Sequence, residues 1–370
     1  MPDRLTIRSI ETTPVRVPLA RTYRGSTYQM THRSTLVTRV HTEQGVVGEA
    51  YAGDEDAGLV EIDRIVCEEI APRLIGADAF AVERCWELAR PVTFDILRDR
   101  RLGLVASACV DAAVWDAVGK ALGSPLWRLW GGYRSRIPVI AIAGYYDSSQ
   151  SIAEEVAELK ELGFAGLKLK VGSLAPEDDV ARVREARSVG GADFVLAADA
   201  NQAWTREEAL RFARLVEGEG LVWLEEPCRW AGDRRAMRDV RAGSRVPVCA
   251  GQTELCASGC LDLMLDGAID VCNFDSSWSG GPTEWRRVAA AALVLGVSMA
   301  HHEEPQVASH LLTSIPHGLY LECFHPDRDP IWWNLVANRP PLVDGTIELS
   351  DAPGLGWELD LEYLKAHAVG

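Results

Sequence analysis

The stretch from Phe194 to Pro227, FVLAADANQAWTREEALRFARLVEGEGLVWLEEP, decides the fold. An apolar run ends on an acid, Asp199. A helix-start signal follows at Thr205-Arg206-Glu207-Glu208, and a second apolar run, VWLE (222 to 225), ends on Glu225. The unit recurs outward in both directions. GLKLK (166 to 170) closes on Lys170, PVCAGQ (247 to 252) on Gln252, VCNFD (271 to 275) on Asp275, SMAHH (298 to 302) on His302 and LYLE (319 to 322) on Glu322. One strand, one helix and two turns take roughly 20 to 40 residues, so this spacing predicts an α/β barrel. Each polar side chain stands at a strand's carboxyl end, where barrels of this type keep their active sites.

The flanks follow from the same reading. Gly131-Gly132-Tyr133 breaks the preceding pattern, and residues 137 to 145 open the barrel as its first strand. Acidic residues in the first turns at Pro176-Glu177-Asp178-Asp179 and Thr205 to Glu208 suit helix amino ends. Residues 4 to 18 and 34 to 52 alternate apolar and polar with a turn at Thr42 to Gly45, which predicts an antiparallel meander. Between them Arg21 to His32, RTYRGSTYQMTH, has no strand or helix period and reads as an exposed polar loop. From Glu55 to about Ala121 the apolar spacing is helical, completing an α+β module. Three segments result: 1–130, the barrel at 131–335, and 336–370. In the last, Ile347 to Leu361 (IELSDAPGLGWELDL) reads as an extended tail that packs back on the first module.

Composition narrows the partners. With 370 residues and 47% hydrophobic content the chain can bury a barrel and a smaller module. A net charge of -16 argues against nucleic acid. No apolar run approaches the roughly 18 residues of a membrane span, and no signal peptide is legible, which predicts a cytoplasmic protein. Nine cysteines without a CxxC pair read as reduced, mostly buried thiols.

Lys168 and Lys170, two apart on a strand, leave the same face. Each depresses the other's pKa, and a lysine kept partly neutral removes a proton near neutral pH. An isolated KxK is more often a pair of solvated lysines; the acidic strand ends beside it favour a site. Asp199, Glu225 and Gln252 end three successive strands and offer oxygen donors that suit Mg²⁺, whereas zinc would call for His or Cys. Asn201 shares the face of Asp199 and reaches either substrate or loop backbone. Glu226 points the other way and reads as a hydrogen-bonded residue behind the wall. Asp275 and His302 end neighbouring strands, so the carboxylate holds one imidazole nitrogen and frees the other for acid or base work. His301 faces elsewhere. Glu322 lies across the mouth and, protonated, would donate to a developing oxyanion.

In these residues and their order the chain resembles the enolase superfamily, mandelate racemase subgroup. The match is carried by Lys168 and Lys170, Asp199 and Asn201, Glu225 to Pro227, the Asp275/His302 pair, Glu322 and the PGLGWELD ending at 353 to 360. The resemblance implies a modified (β/α)7β TIM barrel with a capping domain built from both chain ends and a lid at residues 20–33. It implies one Mg²⁺ per subunit and abstraction of the proton α to a carboxylate, giving an enediolate. Lys168 would then contact the substrate carboxylate, with Lys170 and His302 acting on opposite faces. It also implies a homo-oligomer, dimer or octamer. One position departs from the subgroup: Gln252 stands where mandelate racemase has a glutamate ligand, with Glu254 as the alternative.

The lid donors around Tyr23, Arg24 and Tyr28 suit a polyhydroxylated acid better than an apolar one. A sugar-acid dehydratase (aldonate or aldarate) giving a 2-keto-3-deoxy acid is therefore expected. Racemisation, epimerisation or lactone cycloisomerisation by the same groups is the rival. A noncatalytic or phosphate-binding barrel is the alternative of a different class, and the acidic HEEPQ (302 to 306) speaks against phosphate.

Overall fold

Alternation along the first strands builds the amino-terminal sheet. In the computed structural model, which describes residues 2–54 and 57–369, β1 (Ile7–Arg24), β2 (Gln29–Thr42) and β3 (Val47–Tyr51) form an antiparallel meander. Glu55, where the helical period begins in the sequence, lies outside the described residues. The segment expected as a loop is instead the end of the β1–β2 hairpin. Tyr23 pairs with Met30 and Arg24 with Gln29, leaving only 25–28 as the turn. A register shift between Pro18 and Tyr23 explains why the stretch looks aperiodic: β1 advances five residues there while β2 advances two, and an odd excess of three exchanges the two faces while the strand runs on.

The helix Arg100–Leu122 lies on this sheet, where a Cβ on Gly48 would stand 2.0 Å from the Ala113 carbonyl oxygen. Only glycine permits that approach. Contrary to the expectation of no such run, this helix is long and apolar enough by composition to cross a bilayer. It is a core helix: 83% of its most apolar window is buried within the protein.

Eight parallel strands make the barrel: β4 (Arg136–Ala143), β5 (Gly166–Lys170), β6 (Val195–Asp199), β7 (Leu221–Glu225), β8 (Val248–Ala250), β9 (Val271–Cys272), β10 (Ser298–Met299) and β11 (Leu321–Phe324). A helix lies between each consecutive pair, the (β/α)7β arrangement. Strand β11 pairs with β4, and Met299 closes the ring through backbone bonds of 2.8 and 2.9 Å to His317 and Leu319. Helix starts follow their sequence signals. Thr205 and Glu208 form a reciprocal cap on Arg206–Leu215.

Inside the barrel Ile140, Ala197, Trp223, Cys249, Val271 and Ala300 pack into one buried plug. Two residues beyond Ala197 and Trp223, on the same face, stand Asp199 and Glu225. The packed floor thus carries polar groups at its carboxyl end. β12 (Thr346–Glu348) then pairs antiparallel with β4, and the tail returns to the first module. Its Leu355 amide donates to Asp116 of the long helix at 2.7 Å, and its Val369 amide to Pro14 at 2.9 Å. None of the nine cysteines is cross-linked.

Two buried polar contacts hold the parts together. Arg33 on β2 is fully buried and meets Asp329, beyond β11, at 3.0 Å and Glu304, beyond β10, at 2.6 Å. Replacing Arg33 with methionine leaves those carboxyls without their cation and should destabilise the fold by about 3–5 kcal/mol, read by denaturant unfolding. A loss under 1 kcal/mol would contradict this.

His310 joins barrel helix to tail. Its Nδ1 accepts from the Trp127 amide at 3.1 Å, so Nε2 carries the proton and donates to the Leu355 carbonyl at 2.9 Å. Burial pushes its pKa down from 6.5 to about 3, against the weaker opposing effect of the Leu355 bond. The neutral ring therefore adds stability that is full above pH 6.5 and lost as pH falls toward 3, on the order of 5 kcal/mol over that window. In His310→Gln, stability should fall less steeply between pH 6.5 and 4 than in wild type; parallel slopes would refute the assignment.

Candidate active site

Strand register brings the lysines to the acids. Lys170 is directly opposite Asp199 in the β5–β6 ladder, and Asp199 opposite Glu225 in β6–β7. Lys170 Nζ donates to Asp199 Oδ2 at 2.7 Å. Lys168 Nζ sits 2.8 Å from Glu225 Oε1, 2.6 Å from Glu322 Oε1 and 4.0 Å from Asp199 Oδ2. All five groups are buried.

The expectation that the two lysines depress one another is corrected by these contacts. Burial alone would lower both pKa values, but the carboxylates at ion-pair distance outweigh burial and mutual repulsion, so both are raised. Asp199 is correspondingly lowered despite burial, by Lys170 first and Lys168 second. Glu225 goes the other way, up to about 8, through burial and the nearby Asp199 and Glu322 charges that Lys168 only partly offsets. The floor of the site supports it, since the Trp223 indole donates to Glu225 Oε2 at 3.0 Å.

Around this cluster Asn201, at φ +44°, donates through its amide to Asp199 Oδ2 at 3.0 Å and leaves its own buried Oδ1 without a hydrogen-bond partner. Gly251, at φ +141°, turns β8 so that Gln252 enters the mouth. Gln252 Oε1 accepts from Asn273 at 3.3 Å and its Nε2 donates to Glu226 at 3.1 Å. Glu226 is therefore not behind the wall. Its positive φ of 35° turns it back beside Gln252, where Gln202 and Thr253 also donate to it. Glu254 lies away, 3.7 Å from Arg234.

Across the barrel, Asp275 Oδ2 is 2.9 Å from His302 Nδ1. Its Oδ1 accepts from the Ser277 amide at 2.8 Å and hydroxyl at 2.7 Å. These bonds and the two histidines hold its pKa down against burial. His302 Nε2 faces Glu303 Oε1 at 3.2 Å. Burial would lower the imidazole's pKa, but the Glu303 and Asp275 carboxylates raise it well above 6.5. His301 faces elsewhere, bonded to Ser276 at 2.7 Å.

Four residues escaped the sequence reading. Glu303 and its neighbour Glu304 adopt successive positive φ angles of 52° and 50°, a strained turn no sequence period reveals. Arg328 is buried under the hairpin. Tyr145 follows β4 and was legible in principle, since it is the polar residue that ends the first barrel strand.

The hairpin tip closes the mouth. Ser26 donates to the Ala200 carbonyl at 3.0 Å, and Ser173 Oγ is 3.4 Å from the Gly25 carbonyl. Of the three lid residues expected to meet substrate, Tyr28 places its ring centroid 5.6 Å from Lys170 Nζ. Tyr23 is buried edge-on against Tyr145 at 5.2 Å, because the strand continues through it. Arg24 is exposed, its amide donating to Asp147 at 3.0 Å and its carbonyl accepting from the Tyr146 amide at 3.1 Å.

With this geometry the comparisons agree. Residues 7–131 match the mandelate racemase / muconate lactonizing enzyme amino-terminal domain, and 151–364 match the enolase C-terminal domain-like family. The 3,6-anhydro-α-L-galactonate cycloisomerase of Streptomyces coelicolor is 30% identical, over 98% of this chain and 100% of its own. The arabinonate dehydratase of Saccharolobus solfataricus is 27% identical, over 88% of each chain. A mandelate racemase/muconate lactonizing enzyme from a marine actinobacterium, solved in complex with magnesium, superposes with a TM-score of 0.95 at 57% identity, covering 99% of this chain and 100% of that one. The chain belongs to the mandelate racemase/muconate lactonizing enzyme family of the enolase superfamily.

Proposed function

We propose that this enzyme uses magnesium to remove the proton α to a carboxylate, and that with a sugar acid it eliminates the β-hydroxyl to leave a 2-keto-3-deoxy acid. The observation that carries the reading is the placement of Lys170 on β5 and the Asp275/His302 pair across the barrel, with buried carboxylates at the same mouth.

The residues present fit the cation. Asp199, Glu225 and Gln252 end adjacent strands and supply only oxygen donors. Three buried carboxylates, Asp199, Glu225 and Glu322, outnumber the two buried ammonium groups, and Glu225 is pushed up to about 8 by that crowding and burial. A divalent cation relieves such crowding. The magnesium of the marine actinobacterial relative supports the assignment.

When bound, the cation would neutralise Asp199 and Glu225 and act as Lewis acid toward the substrate carboxylate. Lys170, no longer held by Asp199, would take the α-proton at Nζ. Lys168 and Glu322 would hold charge developing on the carboxylate oxygens. His302, kept as imidazolium by Glu303 and Asp275, would deliver a proton from Nε2 to the leaving hydroxyl. Names among the relatives include a cycloisomerase and a dehydratase. Cycloisomerisation or epimerisation by the same pair would give a product that keeps the substrate's mass, whereas dehydration loses one water.

Two measurements test this. In D₂O with Mg²⁺, wild type should wash deuterium into C2 of a sugar acid. Lys170→Ala should lower that exchange at least about 100-fold, and His302→Asn should lower the rate of water loss by a similar factor while C2 exchange persists, both leaving fold and Mg²⁺ binding intact. Unchanged exchange in Lys170→Ala would remove the mechanism. Separately, Asp275→Asn should lower the pKa of His302 followed by ¹⁵N NMR, since it removes a carboxylate that favours the imidazolium; an unmoved titration would show that Asp275 does not hold the charge.

A further inference from the structure

Beside the reactive pair stand two buried groups and one part-buried group, none of which the mechanism above places on the substrate. Arg328, 2% exposed, holds its guanidinium 4.4 Å from the Phe324 ring centroid. Both of its terminal nitrogens reach one oxygen, Asp54 Oδ2, at 3.3 and 3.4 Å, while its Nε has no hydrogen-bond partner. Tyr145, 3% exposed, likewise leaves its hydroxyl without a partner. The third group, Glu303, meets the reactive nitrogen of His302 at 3.2 Å. Tyr145 packs in one cluster with Tyr23, Phe324 and Tyr28; Arg328 lies over the Tyr23 and Phe324 rings of that cluster, and Tyr28 stands 5.6 Å from Lys170 Nζ. With Glu303 against His302, these groups border the space between Lys170 and His302 that the proposed substrate would fill.

Burying a donor without an acceptor is costly, so two orphaned donors on one wall imply a ligand that supplies acceptors. Charge then selects the ligand. Arg328 already faces Asp54. Glu303 is kept anionic despite its burial by His302, Arg328 and Arg33. A carboxylate placed here would bring a second anion against Glu303, whose neighbouring cations Arg328 and Arg33 are already paired with Asp54, Glu304 and Asp329. A hydroxyl accepts from Arg328 Nε or Tyr145 and donates to Glu303, satisfying both sides.

We propose that Arg328, Tyr145 and Glu303 form a distal subsite for the uncharged, hydroxylated tail of a monocarboxylic sugar acid, selecting aldonates over aldarates. This rests on the sugar-acid reading of the same site.

The test is calorimetric binding of matched pairs, gluconate with glucarate and galactonate with galactarate, to the Mg²⁺-loaded enzyme carrying Lys170→Ala to prevent turnover. At least one aldonate should bind about 10-fold or more tightly than its aldarate, with neither pair reversed. Adding Glu303→Gln should narrow that gap by tightening aldarate binding several-fold. Equal affinities within both pairs, tighter aldarate binding, no binding by any of the four, or a gap unmoved by Glu303→Gln would overturn the subsite. Deuterium exchange at C2 in wild type is read separately. A binding preference without exchange would remove the proposed reaction and leave the subsite standing, so the two failures are distinguishable.

Discussion

Two buried ammonium groups shared among three buried carboxylates are the constraint on which the rest depends. Ions out of water persist only when paired at close range, and removing one partner typically costs about 3–5 kcal/mol. Lys168, Lys170, Asp199, Glu225 and Glu322 meet this condition because β4 to β7 and β11 keep parallel register at their carboxyl ends. A slip of one residue in β5 would turn both lysines to the outer face, where Leu167 and Leu169 now pack into the core. The barrel floor adds its own contact through Trp223. Fold and chemistry are thus linked in one set of ion pairs: the groups that strengthen the register are those that would bind cation and substrate.

The capping module is attached by two kinds of contact with different strength. At its root, Arg33 is fully buried among Asp54, Glu304 and Asp329, an arrangement that tolerates little movement. At its tip, the turn 25–28 is fastened by a few neutral bonds from Ser26 and Ser173 to backbone carbonyls. Each is worth about 1 kcal/mol net. Lys170 is 2% and His302 4% exposed, so access of a substrate to them would call for that tip to lift. The contrast lets the hairpin open at its end while its base stays fixed to the barrel.

Much of this was legible from residues alone, for identifiable reasons. The barrel follows from polar side chains at the ends of apolar runs, a signal that repeats and so averages out local ambiguity. The pairing of Asp275 with His302 follows from adjacency of strand ends. What escaped depends on backbone shape that carries no period. The irregularity after Pro18 hid a hairpin that reads as a loop, and with it the burial of Tyr23. Positive φ at Glu226 and Glu303 turned carboxylates into the mouth, and at Glu304 toward Arg33, where alternation sends them elsewhere. The lysine pKa values failed for another reason: sequence spacing shows the two like charges but not the 2.6 to 2.8 Å distances to their counter-ions.

The most direct test of the central claim is a crystal structure grown in Mg²⁺. The account expects one ion within about 2.0–2.1 Å of oxygens from Asp199, Glu225 and Gln252, with Lys170 Nζ released from Asp199. An ion bound elsewhere, or none at saturating Mg²⁺ with both lysines still gripping the carboxylates, would contradict it.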